Sequence, residues 1–385
     1  MTTYRQLVQV SFEYPIHFGH QFFHVNNSLV ARTVSDGYSF VFLDAGLASA
    51  QPELFGRISG YFGHYRDQTN LVAPPHLFPG GEAAKTHREN LDAALDAIVS
   101  APVRLCRQSY IIAVGGGSFL DIIGLAASLV HRGLRLIRFP STVLAQNDAG
   151  VGVKSGMDYN GQKNFLGTFA PPYAVFCDFS LLHTLPDKYW SGGIAEAFKV
   201  ALIQDAAFYG FLCEHADKLR NRDITAMEQL IERCAIQHLD HIRDGGDPFE
   251  FGSSRPLDFG HWAAHRLEVL SDYALGHGQA VAIGMALDAC YAHYLGLLSS
   301  SQLDTFLAAL SASGLPIYSP LLDLLDTSGN RKILRGLQDF REHLGGELTL
   351  TLPRGIGQRT EIHQVDVATI DRAINDLRIL TERGR

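Results

Sequence analysis

SYIIAVGGGSFLDIIGLAASLVHRG, residues 109–133, reads as a buried strand, a glycine turn and a helix in direct succession. The run YIIAV is short and wholly apolar, as a strand covered on both faces of a parallel sheet must be. Gly115, Gly116 and Gly117 permit a sharp turn, after which apolar residues recur at helical spacing. Such a unit places free N–H groups and the positive end of a helix dipole at the turn, where a pyrophosphate can approach the backbone. The pattern is GGGxxxD, ending on Asp121, and departs from the GxGxxG dinucleotide fingerprint. A tight turn with close helix–sheet packing explains the glycines equally well, so both readings stand at this point.

Working outward, residues 1 to about 50 read as strands. YSFVFLDAG (38–46) is a buried strand whose end carries Asp44, placed either to hold a ribose hydroxyl or to form a turn. PGGEAAKTHRENLDAALDAIVSA follows with a turn and then an amphipathic helix. Beyond the glycine unit, residues 134–169 begin as a strand and pass through Pro140 into polar, glycine-rich chain. Asp148, Lys154, Lys163 and Asn164 fall there, and two lysines with an amide can clamp a phosphate; a solvated basic loop also fits. One more strand, PYAVFCDFSLLHTLP (172–186), contains Asp178. From Ser191 the periodicity is helical almost to the end, apart from a late strand in GELTLTLPRGIG (346–357). The expected architecture is an α/β nucleotide-binding domain over residues 1–180 and a mostly helical domain over 181–385, with a ligand in a cleft between them.

The helical half carries LDFGHWAAHRLEVLSDYALGHGQAVAIGM (257–285). His261 and His265 stand four apart, so both rings share one helix face, and His277 opens the next helix. Histidines from a helix and the following turn can converge on a divalent metal, with Glu196 of SGGIAEAFK the best carboxylate candidate. Ser191 is placed to cap that segment and Lys199 follows the glutamate by one turn. A His pair at this spacing also occurs as an ordinary surface or core feature.

A net charge of −8 argues against a nucleic-acid surface. The five cysteines form no CxxC, which fits reduced thiols in a cytoplasmic protein. The N-terminus lacks the form of a signal peptide. The most apolar stretch is broken by glycines and Asp121, which argues against a membrane span.

Several motifs, in order, resemble those of the dehydroquinate synthase superfamily, the sugar-phosphate cyclases: GGGSFLD, FPSTVLAQNDAGVGVKSG with QKNFLGTF, LHTLP with SGGIAEAFK, FGHWAAH and HGQAVAIGM. They span roughly residues 40 to 360. The resemblance implies an N-terminal NAD-binding α/β domain, an all-α C-terminal metal-binding domain, a homodimer, and zinc or cobalt. By position, Glu196, His261 and His277 match the metal ligands, and His265 matches a histidine near the substrate. Gly115, Gly116, Gly117 and Asp121 match the NAD loop, while Asp44, Glu82, Lys85, Thr142, Asp178 and Thr184 fall where the family contacts the rest of the dinucleotide. Asp148, Lys154, Lys163, Asn164 and Lys199 match substrate contacts, and Arg132 matches an arginine reaching the phosphate of the neighbouring subunit. The implied chemistry is transient oxidation by NAD, phosphate elimination, reduction and an intramolecular aldol closure. Related metal-dependent polyol and alcohol dehydrogenases share the GGGxxxD loop, but the AQNDAGVGVKSG and QKNFLG blocks favour the cyclase.

The chain departs from a typical 3-dehydroquinate synthase in several places. A lysine of the family pattern aligns best with His238, and Arg255 is out of step with the family's arginine. Asp258 replaces the asparagine of LNFGH, Phe340-Arg341-Glu342 stands for Asp-Lys-Lys, and Gln279 and Lys188-Tyr189 also differ. The lost lysine and arginine are the ones the family uses to hold the substrate's carboxylate and nearby hydroxyls. A buried carboxylate without cationic partners costs several kcal/mol. The expected substrate is therefore a ketose phosphate without a carboxylate, such as sedoheptulose 7-phosphate, with 3-dehydroquinate synthase as the runner-up.

Overall fold

The computed structural model describes residues 2–160, 162–245, 256–343, 346 and 348–383. The chain divides into two compact units, Met1–Ser141 with Gly152–Ser180, and Thr142–Val151 with Leu181–Arg385. The first unit holds β1 (Ile16–Gly19), β2 (Tyr38–Asp44), β3 (Asn70–Leu71), β4 (His76–Phe78), β5 (Tyr110–Gly115) and β6 (Arg135–Pro140), a hairpin of β7 (Lys154–Tyr159) and β8 (Gln162–Phe169), and β9 (Ala174–Asp178). Seven of these form one sheet in the order β1-β9-β6-β5-β2-β3, with β4 also on β2, and every pairing in it is parallel. All six residues of β5 are buried, as the unbroken apolar run requires. Phe139 stacks between Phe23 and Phe176 at ring distances of 4.5 and 4.8 Å, filling one face of the sheet.

Two expectations for this unit need correction. Residues 2–15 alternate like a strand but carry no regular structure. A strand needs a neighbour for its backbone groups, and only from Pro15, whose carbonyl accepts from Val175, does β9 lie alongside. The helix expected after residue 80 comes in two pieces, Ala83–Thr86 and Arg88–Val99.

The second unit is built mainly of helices, including Asp187–Gln204, Ala206–Glu214, Ile224–Asp244, His261–Leu270, His277–Tyr294, Ser300–Ala312 and Val367–Arg383. It also holds the small antiparallel pair β10 (Leu350–Pro353) and β11 (Arg359–Ile362). Residues 142–151 belong here, rather than on the N-terminal side of a single cut near residue 180. Asn147 Nδ2 donates to the Gly193 carbonyl at 2.8 Å, and a side chain at Gly193 would meet Val143 at 2.3 Å. Ser191 does not cap the glutamate helix: Pro186 starts it earlier, and the Ser191 hydroxyl donates back to the Asp187 carbonyl at 3.0 Å. Among the described residues, no helix is long and apolar enough to cross a membrane.

Candidate active site

Three helices of the second unit present the expected metal ligands, and glycines set their spacing. Glu196 lies one turn beyond Gly192 on Asp187–Gln204, and His277 precedes Gly278 at the start of His277–Tyr294. A Cβ on Gly278 would lie 2.2 Å from Gly192 Cα, so the two backbones touch beside both ligands. A Cβ on Gly284 would lie 2.0 Å from the Gly260 carbonyl oxygen, which brings the start of His261–Leu270 onto the same helix. Gly260 itself has φ +80°, a left-handed conformation that favours glycine. The rings of His261 and His277 are 5.6 Å apart, and His265 sits 5.5 and 6.2 Å from them.

The hydrogen bonds fix which ring nitrogen each histidine offers. His261 Nδ1 donates to the Phe259 carbonyl at 3.1 Å, and His277 Nδ1 donates to the Glu268 carboxylate at 3.3 Å. Both rings thus keep the Nε2 lone pair for a metal, with the supporting acceptor that metal-binding histidines normally have. Burial, and then the positive charge of Lys199, hold His261 well below the ordinary histidine range, in the neutral form a metal requires. Burial alone would raise the pKa of Glu196, but Lys199 at 2.5 Å and His238 at 3.1 Å hold it low and ionised. A carboxylate and two imidazoles are the donor types that suit catalytic zinc or cobalt, but Glu196 is here paired with Lys199 and His238, and among the described residues Glu196, His261 and His277 do not bring their ligand atoms within 4.8 Å of one another.

The structure also assembles a group that spacing did not reveal. The ligand atoms of Asp148, Glu196 and His238 lie within 4.8 Å of one another. His238 is buried on Ile224–Asp244, with Nε2 at 3.1 Å from Glu196 and Nδ1 at 3.5 Å from Asp148. Its signal in the sequence was a lone polar residue continuing the buried stripe Leu230, Ile231, Cys234 and Ala235. Asp258, half-buried, adds a negative charge felt by Lys199. Arg341 is exposed and donates to the Gly346 carbonyl, while Arg255 lies outside the described residues. Thr142 accepts from the Ala145 N–H, and Thr184 is exposed.

In the first unit, Gly115 ends β5 and Gly116 precedes the helix Gly117–Leu129 with no side chain capping it. A Cβ on Gly115 would lie 2.5 Å from the Phe119 ring and 2.9 Å from Asp44 Cβ, so close packing does require that glycine. The uncapped helix start leaves room for the backbone to receive a phosphate. Around it, buried Lys85 donates to Asp121 at 3.1 Å and to Asn164 at 2.9 Å, and Ser118 donates to Glu82 at 2.8 Å. Burial opposes the lysine's charge, yet Asp121, Glu82 and Asp158 raise its pKa above the ordinary value. Asn164, expected on the substrate, is thus tied to a lysine expected on the dinucleotide. Asp44 caps the next helix by accepting from Gly46 and Leu47, while Asp178 accepts from the backbone of Gln21, Phe22 and Ser180. Lys154 is exposed, Lys163 half-buried, and Arg132 exposed in a left-handed conformation at φ 64°.

The models of the 3-dehydroquinate synthase family match the chain along most of its length, the N-terminal model over residues 76–192 and the C-terminal model over 193–330. A 2-epi-5-epi-valiolone synthase of Actinoplanes sp. is 33% identical over 380 residues, 95% of this chain and 90% of the relative. A 3-dehydroquinate synthase of Acidithiobacillus ferrooxidans is 31% identical over 362 residues, 94% of each. The solved structure of ValA, a 2-epi-5-epi-valiolone synthase from Streptomyces hygroscopicus subsp. jinggangensis 5008 with NAD+ and Zn2+ bound, is similar with a TM-score of 0.86 at 28% identity, covering 99% of this chain and 100% of that one. Glycerol dehydrogenase from Schizosaccharomyces pombe, at 15% identity and a TM-score of 0.63 over 99% of this chain and 93% of that one, shares the fold. The chain belongs to the 3-dehydroquinate synthase family and is an enzyme of the sugar-phosphate cyclase type.

Proposed function

We propose that this cyclase uses NAD and zinc or cobalt to close a ketose phosphate that lacks a carboxylate, sedoheptulose 7-phosphate being the seven-carbon case. The observation that carries this reading is the engagement of His238. Where the family pattern has a lysine, this imidazole is held between Asp148 and Glu196, with Asp258 adding negative charge nearby. With Lys199 already paired to Glu196, a substrate carboxylate would meet Asp148 and Asp258 without the additional mobile ammonium of the family pattern, an unfavourable exchange in a buried site. The names of the two kinds of relative fit the same division, since valiolone carries no carboxylate and dehydroquinate does.

When bound, NAD takes up and returns a hydride and the divalent metal polarises substrate oxygens as a Lewis acid. In this reading Glu196, His261 and His277 hold the metal, and Lys199 keeps Glu196 ionised. His265 carries proton transfer at its imidazole, beside the two ligand histidines. Lys154, Lys163 and Asn164 grip the phosphate, and Arg132 reaches it from the second copy of a homodimer. Gly115, Gly116, Gly117, Asp121, Asp44, Glu82, Lys85, Thr142, Asp178 and Thr184 serve the dinucleotide. The net reaction releases phosphate and leaves NAD unchanged, in a cytoplasmic protein by its cysteine content.

The test follows phosphate and NADH together, with protein loaded with NAD and zinc. Phosphate released from sedoheptulose 7-phosphate with no accumulation of NADH supports the cyclase. NADH accumulating on glycerol or another simple polyol, without phosphate release, would place the chain with the dehydrogenases that share its fold.

A further inference from the structure

Asp288 is buried near the middle of His277–Tyr294, where the mechanism above gives it no part. Its two carboxylate oxygens accept from two donors that flank one metal ligand. Oδ2 accepts from the Gly260 N–H at 2.9 Å, and Oδ1 accepts from the Trp262 indole N–H at 2.8 Å. Gly260 and Trp262 are the immediate chain neighbours of His261. Neither of these donors carries a positive charge, and burial pushes the carboxyl pKa up to about 7. A charged carboxylate in such a place costs stability, and what it supplies in return is an acceptor for both buried donors at once.

We propose that Asp288 is a positioning residue for the metal centre, clamping His261 from both sides onto the helix that begins with His277. The proposal rests on the reading of His261 and His277 as metal ligands. His261 opens its helix, and helix ends fray unless their backbone groups are held. Its Nδ1 is bound to Phe259, its N-terminal neighbour Gly260 to one oxygen of Asp288, and its C-terminal neighbour Trp262 to the other. The close backbone contact of Gly260 with Gly284 and Met285 completes the register between the two helices. The carboxylate also faces the positive end of the His261 helix, which favours its charge there. Both ligands are thereby held at a set separation, and metal affinity depends on that separation to a fraction of an ångström.

Asp288→Asn tests this, because its amide can accept from only one of the two donors and turns N–H groups toward the other. Trp262→Phe removes one donor while keeping an aromatic ring in place and serves if the first variant folds poorly. Leu310→Ala, in the buried core of Ser300–Ala312, supplies a variant weakened in stability alone. Zinc dissociation constants are measured at pH 8 by chelator competition, with cobalt absorption spectra and melting temperatures. The expected result is at least a tenfold weaker zinc affinity in Asp288→Asn, a smaller loss in Trp262→Phe, altered cobalt bands in both, and parental affinity in Leu310→Ala. Parental zinc affinity and cobalt bands in Asp288→Asn and Trp262→Phe, whatever their melting temperatures, would overturn the proposal. Absence of zinc binding by the parent protein itself would instead overturn the metal reading, and the proposal with it.

Discussion

At His238 an imidazole bridges Asp148 and Glu196, and the reading of substrate class rests on that engagement. His238→Lys would put a flexible ammonium in the same wall. The ratio of kcat/KM for the heptulosonate phosphate to that for sedoheptulose 7-phosphate should rise about tenfold, a gain of ~1.4 kcal/mol for the acid. An unchanged ratio would separate His238 from selectivity. At Asp288, burial raises the pKa from the ordinary 3.8 to about 7. The unfolded chain releases this proton near pH 4 and the folded chain only near pH 7. The folded state therefore binds more protons between those values, and this group's contribution to stability falls as pH rises through that window. Asp288→Asn lacks the effect, so its stability relative to the parent should improve by about 3 kcal/mol from pH 5 to pH 8. Urea unfolding of the metal-free proteins at several pH values reads this directly, and a difference that stays flat with pH would contradict it. A variant that gains stability at pH 8 while losing zinc affinity would show that the carboxylate is kept for the site.

At the scale of elements, glycine contacts determine how closely the helices carrying the candidate metal ligands approach. Gly278→Ala places a methyl 2.2 Å from Gly192 Cα, where only backbone movement can relieve it. The expected cost is about 1–3 kcal/mol with loss of zinc binding. Gly210→Ala is the control, since nothing lies within 4 Å of a Cβ there; it should stabilise its helix by up to about 1 kcal/mol and leave zinc binding unchanged. Equal zinc affinity in the two variants would contradict the role given to the helix contact. Much of this level was legible beforehand. The apolar run of β5 and its glycines could be read as strand, turn and helix because each signal is local. The spacing of His261, His265 and His277 likewise projected onto adjacent helices. Long-range pairing was not legible: residues 2–15 alternate like a strand but lie beside none until Pro15. His238 reaches Glu196 across 42 residues of sequence, and no periodicity encodes that meeting. The placement of residues 142–151 with the second unit depends on Gly193 in the same way.

At the scale of the molecule, the candidate nucleotide loop and the candidate metal ligands lie in different compact units. NAD should therefore raise the melting temperature of zinc-stripped protein, and of Gly278→Ala, as it does for the parent. A hundredfold excess over Kd corresponds to about 2.7 kcal/mol of added stability. Failure of NAD to stabilise any of them would contradict the role given to the uncapped helix after Gly116. Substrate choice is read from initial rates of phosphate release. Protein holding NAD and zinc is given sedoheptulose 7-phosphate and the heptulosonate phosphate in parallel, and the products are identified by mass. Release is expected from the neutral sugar, with a carbocycle of matching mass and little or no release from the acid. Efficient release from the acid, with dehydroquinate as its product, would contradict it.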